Sequence, residues 1–72
     1  MIDPKIIGQV VGANVRRLRL EAGLSQEEFC AQVGMSRSYL SNLENGQRNP
    51  TVELLAYMAQ VLGVGLMEFF RT

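Results

Sequence analysis

Residues 24–46, LSQEEFCAQVGMSRSYLSNLENG, hold two helix starts and two helix stops in a span with room for two short helices and a tight turn. Ser25 is a good N-cap, and Glu28 three residues later completes a capping box. Leu24 before the cap and Phe29 at the fourth helical position can close over it as a hydrophobic staple. Gly34 ends this helix, because glycine enters the left-handed region at little steric cost. Met35 alone separates it from the next cap, Ser36, and Met35 with Leu40 repeats the staple. The second helix then runs from Arg37 to about Glu44 and stops at Asn45-Gly46.

The two helices are built differently. The first carries Phe29, Cys30, Ala31 and Val33, a broad apolar side. The second is apolar only at Leu40 and Leu43, with Tyr39 beside them; its remaining face is Arg37, Ser38, Ser41, Asn42 and Asn45. A narrow apolar stripe opposite a face of amides and hydroxyls suits the major groove, where bases differ in their hydrogen-bonding pattern. An ordinary solvated helix has the same appearance, so this face alone leaves both readings open.

The ordered series Leu18-Arg19, Gly23-Leu24-Ser25-Gln26-Glu27-Glu28-Phe29, Gly34-Met35-Ser36 and Leu43-Glu44-Asn45-Gly46, followed by Arg48, Pro50, Leu55, Met58-Ala59 and Leu62-Gly63-Val64, resembles the lambda-repressor/Cro-like (XRE-type) helix-turn-helix family. The resemblance covers nearly all of the chain from Val11 onward. It implies that Arg37, Ser38, Ser41 and Asn42 face bases. Arg can bind guanine, and Asn adenine, through two hydrogen bonds. Family members often carry Gln where Arg37 and Ser38 stand, which bears on the target sequence and not on the binding mode. The same resemblance implies phosphate contacts by Gln26, Ser36, Asn45, Arg48 and Arg17. Gln26 would act at a helix N-terminus, where free N–H groups favour an anion. It also sets Arg19 opposite Glu44 as a structural ion pair. A phosphate contact by Arg19 is the rival reading, and the two are compatible.

Composition narrows the alternatives. The 72 residues suffice for one domain, taken as residues 1–72 with the helix-turn-helix core at about 25–45. A formal net charge of zero argues against a bulk polycation, but the distribution of charge matters more than its sum. Arg16, Arg17, Arg19, Arg37 and Arg48 lie early, Glu53 and Glu68 late, and Arg suits planar recognition of phosphate and guanine. Cys30 is the one cysteine, so no internal disulfide can form, which fits a reducing cytoplasm, with nucleoid association when bound to DNA. Cys30 sits beside Phe29 as a core thiol without a partner base. No histidine is present, so no metal site and no cofactor are expected. The first residues lack a basic stretch followed by a long apolar run, and no run approaches the roughly 20 residues that span a bilayer. Neither a leader nor a membrane partner is expected, nor a small-molecule ligand.

On either side of the central pair the chain reads as helix. Asp3 caps and Pro4 opens a first helix, with Ile2 and Ile7 as its staple and Gly23 as its end. Ile7, Val11, Val15, Leu18 and Ala22 form its buried face. Gly8 and Gly12 each cost roughly 1 kcal/mol relative to Ala. They mark close packing by another helix or a later start to this one. Thr51 caps a further helix after Pro50, with Leu55, Met58, Ala59 and Leu62 inward and Gly63 at its end. A short last helix runs from Leu66 to about Arg71 behind Gly65, a poor cap. The expectation is an all-α, compact five-helix bundle.

Leu54, Tyr57 and Val61 form a second stripe on the fourth helix, and Leu66, Phe69 and Phe70 crowd the last. Such surplus apolar surface points to a homodimer interface. Alternatively, Ile2, Ile6 and Val10 fold over the last helix and complete a monomeric core. The chain offers no catalytic constellation, and an enzyme is not expected. Its resemblance implies a sequence-specific, double-stranded-DNA-binding regulator of transcription that reads a near-palindromic operator as a homodimer. A protein-interaction module or antitoxin-like adaptor on the same scaffold is the alternative.

Overall fold

The computed structural model describes residues 3–72, so the expected Ile2–Ile7 staple and the Ile2 part of any N-terminal cover lie outside the described residues. Four α-helices follow one another: α1 (Pro4–Glu21), α2 (Gln26–Val33), α3 (Arg37–Glu44) and α4 (Val52–Leu62). A 3-10 turn, Leu66–Phe70, closes the order, and no strand occurs among the described residues.

Each start is fixed by a local hydrogen bond. The Asp3 carboxylate accepts from the Lys5 amide at 2.9 Å ahead of Pro4. Ser25 accepts from Glu28 N at 3.0 Å while the Glu28 carboxylate accepts from Ser25 N at 2.9 Å, a complete capping box. Hydrogen bonding with Ser25, through its backbone amide first and its side chain second, holds the Glu28 carboxyl below its ordinary value. Ser36 and Thr51 accept from Tyr39 N and Leu54 N at 3.1 and 3.0 Å. Gly34, with φ of 87°, ends α2 in the left-handed conformation that leaves one residue before the next cap.

The core lies where the helices meet: Val11, Val15 and Leu18 from α1, Phe29 and Cys30 from α2, Leu40 and Leu43 from α3, and Leu55 and Met58 from α4. Burying a side chain of this size contributes about 1.5–3 kcal/mol. α1 packs on α3 and on the 3-10 turn, while α2 packs on α3 and α4. Two residues expected on buried faces are exposed: Ala22, which caps α1, and Ala31.

Gly8 and Gly12 lie within a continuous α1. A Cβ at Gly12 would overlap the Leu43 carbonyl oxygen and stand 3.0 Å from that of Glu44. A Cβ at Gly8 would stand 2.7 Å from Asn49 Oδ1. These glycines therefore mark the close approach of α1 to the end of α3.

The C-terminus corrects the expected architecture. The fifth element is a 3-10 turn and not an α-helix; Gly65 supplies no side-chain cap, and five residues cannot establish an α-helical ladder alone. Its tighter winding carries Phe69 into the centre of the core, where it is fully buried against the other helices. Phe69 is thus a core residue and not part of an outer face with Leu66 and Phe70. Phe70, Leu54 and Val61 are half-buried at the edge of the core, leaving Tyr57 (55% exposed) and Leu66 (39%) as the open part of the expected patch.

Candidate nucleic-acid interface

α3 presents Arg37 and Ser38 to solvent at its N-terminal end, and Ser41 and Asn42 half-buried one turn further on. The face forms because Leu40 and Leu43, both fully buried, turn the opposite side of the helix into the core. Ser36 is exposed, but its hydroxyl oxygen is engaged by the Tyr39 amide. Asn45 caps the C-terminal end, its amide donating to Ser41 O at 3.1 Å.

Behind this face lies a polar cleft of about 140 Å³ lined by Arg16, Arg19, Gln26, Ser41, Glu44 and Asn45. Arg19 and Glu44 form its floor. Arg19 Nε donates to Glu44 Oε2 at 2.7 Å and Nη2 to Oε1 at 3.1 Å, a two-pronged pair with both side chains almost wholly buried. Arg19 Nη1 also donates to Leu24 O at 2.9 Å, and Gln26 Nε2 donates to Glu44 Oε1 at 3.1 Å. The pair thus ties α1, the start of α2 and the end of α3 together, and each of its charged atoms has a hydrogen-bond partner, as a buried pair requires.

With Arg19 and Glu44 compensating each other, Arg16 gives the cleft its excess positive charge. Arg16 is exposed and stands one turn before Arg19 on α1. Arg17, the residue expected on phosphate, points elsewhere. Its Nη1 lies 3.3 Å from Glu21 Oε2 and its Nη2 3.3 Å from Glu68 Oε1, beside the 3-10 turn. The two adjacent arginines therefore serve different sides of α1. Spacing held the clue, since Arg16 lies three residues before Arg19, the separation at which helical side chains are neighbours.

At the other end of the face, the Arg48 guanidinium lies 5.5 Å from the centroid of the Tyr39 ring. This cation–π contact holds a long, exposed side chain of the loop against α3. Gln47 and Asn49 are exposed beside it. Cys30 is buried under α2, where desolvation pushes its thiol above the ordinary value, away from the polar face. No cluster of metal-ligating side chains occurs among the described residues.

The Helix-turn-helix family HTH_3 matches residues 15–69. The chain belongs to this family. Among its relatives, the uncharacterized HTH-type transcriptional regulator y4dJ of Sinorhizobium fredii (strain NBRC 101917 / NGR234) is 55% identical over 60 residues, covering 83% of this chain and 78% of that protein. Among solved structures, the restriction-modification controller protein C.AhdI from Aeromonas hydrophila superposes with a TM-score of 0.81 at 35% identity, over 88% of this chain and 96% of that one. The controller protein C.Esp1396I, solved as a tetramer in complex with its natural 35 base-pair operator, matches with a TM-score of 0.76 at 30% identity, over 89% of this chain and 84% of that one. In this HTH_3 chain, as described residue by residue above, the motif spans α2 and α3, and no helix among the described residues is long and apolar enough to cross a membrane.

Proposed function

We propose that the chain is a sequence-specific regulator of transcription that binds double-stranded DNA as a homodimer, in the cytoplasm. The observation that carries this reading is the outward face of α3, Arg37, Ser38, Ser41 and Asn42, held against α1 and α2 by the buried Arg19–Glu44 pair. A helix so held can enter the major groove without rearrangement. Arg37 and Asn42 read bases there, with Ser38 and Ser41 beside them. Gln26 at the start of α2, Ser36, Asn45 and Arg48 hold phosphates and so set the register. Arg16 takes the phosphate role in place of Arg17, because it is exposed at the cleft while Arg17 is engaged by carboxylates.

One recognition helix reads too few base pairs for useful specificity. Two copies would place two helices about 34 Å apart on a near-palindromic site. Tyr57 and Leu66, bordered by Leu54, Val61 and Phe70, supply the self-complementary patch, and exposed Met67 extends it. That C.Esp1396I occupies its operator as a tetramer supports DNA binding by more than one copy. Control is by occupancy, with no chemistry.

Selection of bound duplexes from a random pool tests the proposal. A near-palindromic consensus is expected, with affinity falling steeply as salt rises because phosphate contacts release counterions. A folded chain with no duplex affinity at low salt would overturn it in favour of a protein-interaction module.

A further inference from the structure

The expected fold gave Asn14 no role, yet it is 6% exposed in the middle of α1. Its carboxamide nitrogen donates to Phe69 O at 2.9 Å and Arg71 O at 2.8 Å, and lies 3.0 Å from Val10 O in its own helix. Its oxygen accepts from Arg17 Nε at 3.3 Å. Arg17 in turn reaches the same turn, with Nη2 at 3.3 Å from both Glu68 O and Glu68 Oε1, and Arg71 closes the ring on Glu68 at 3.2 Å. The carbonyls at the end of a helical turn have no partners of their own. Here three of them, Glu68, Phe69 and Arg71, are satisfied by two side chains of α1.

This arrangement fixes more than the chain end. Phe69 enters the core on one side of the turn while Leu66 and Met67 stand exposed on it. The turn has no side-chain cap of its own. Its placement therefore depends on Phe69 and on the polar contacts from α1. We propose that Asn14, supported by Arg17, is a positioning residue for self-association: it latches the 3-10 turn onto α1 so that Leu66 and Met67 meet a second copy beside Tyr57. This rests on the homodimer reading above. An unlatched turn withdraws part of the patch, so a residue that need not touch the partner governs the affinity of the dimer.

The test compares the full chain with Asn14→Asp, which keeps the size and the contact to Arg17 but cannot donate. Sedimentation equilibrium reads the dimer dissociation constant, chymotryptic cleavage at Phe69–Phe70 reads the latch, and circular dichroism reads α1–α4. Asn14→Asp is expected to raise the dissociation constant and the cleavage rate about tenfold or more, with helical content retained. Tyr57→Ser should weaken the dimer without accelerating cleavage of the dissociated monomer. Faster cleavage of Asn14→Asp with an unchanged dissociation constant overturns the inference. If Asn14→Asp does not fold, Arg17→Gln removes the Glu68 contacts, together with those to Glu21 and to Asn14 Oδ1, while leaving the Asn14 donor in place; it should move both readouts in the same direction by a smaller factor, and an unmoved dissociation constant again overturns it. A wild-type chain that stays monomeric defeats the dimer reading itself before any variant is compared.

Discussion

Two sides of α1 hold their neighbours in contrasting ways. On one, Gly12 lets the backbone of α1 reach the carbonyls that end α3, and Arg19 adds a buried ion pair to the same helix. On the other, Asn14 and Arg17 reach out to the 3-10 turn through side-chain hydrogen bonds, with Phe69 as the buried anchor of the turn. The first joint is set by backbone shape and leaves little room for adjustment. The second depends on polar groups, two of them partly exposed ion pairs. The contrast suits the proposed division of labour, in which α3 must present a fixed face and the C-terminal turn need only be held when a partner is present.

Breaking the rigid joint should have the largest effect. Glu44→Leu strands the buried Arg19 guanidinium, and removing one member of a buried pair costs about 3–5 kcal/mol. That is a large share of the roughly 4–11 kcal/mol expected for a chain of this length, and urea denaturation should report it. Arg17→Gln, an equivalent cut at the looser joint, should cost under about 1 kcal/mol, because its partners are partly solvated. Equal losses would erase the distinction between the joints.

Gly12→Ala comes next. The added methyl forces α1 away from the Leu43 and Glu44 carbonyls, at about 1–3 kcal/mol. Because α3 must move, duplex affinity should fall further than the change in folding stability accounts for. Titration of an operator duplex under conditions where the variant is fully folded checks this.

On the face so positioned, Asn42→Ala and Arg37→Ala should each lose about 1–3 kcal/mol of discrimination at one base pair per half-site. Competition with singly substituted duplexes measures it, and an unchanged preference would refute the base-reading assignment. Arg16→Ala should weaken binding to all sequences alike and lower the salt slope by about 1. Arg17→Gln should leave the slope intact at concentrations where that variant remains dimeric.

The smallest effect is that of acid on the looser joint. Glu68 is held below the ordinary carboxyl value, chiefly by its hydrogen bond from Arg71 and then by Arg17. A carboxyl whose folded value is depressed contributes stability above its unfolded value and loses it as pH falls through the lower, folded one. The 3-10 turn should therefore loosen below the usual carboxylate range, seen as faster cleavage there at Phe69–Phe70 by the acid protease pepsin, relative to an unstructured peptide of the same sequence. No change in cleavage across that range would detach Glu68 from the latch.

The parts of this fold legible in the chain are those governed by neighbours in sequence. Ser25 with Glu28, Ser36 and Thr51 announce their helices because a cap bonds within three residues. Resemblance brought Arg19 and Glu44 together, which spacing alone could not do across 25 residues. Asn14 was illegible because its partners lie 55 and 57 residues away, and a polar residue in a helix reads as solvated. Phe69 was misplaced for a related reason. A short apolar run behind an uncapped glycine does not state its winding, and winding decides which aromatic ring turns inward. Arg16 and Arg17 differ by one helical step, enough to send one to the cleft and the other to the C-terminus.

The glycine contact at the root of α3 has one further consequence. The helix is mounted unevenly: its C-terminal end abuts the α1 backbone, while its N-terminal end hangs from α2 by the turn through Met35, whose amide donates to Cys30 O. A beam butted against a wall at one end and hung from a hinge at the other is stiffer near the wall. Asn42, near the wall, should tolerate little change in the shape of the groove. Arg37, at the hinged end, has travel to spare and can follow a base pair that shifts with its surroundings. Over evolutionary time, new targets would then be acquired most easily by exchanging residues at the hinged end, with the mounting left untouched.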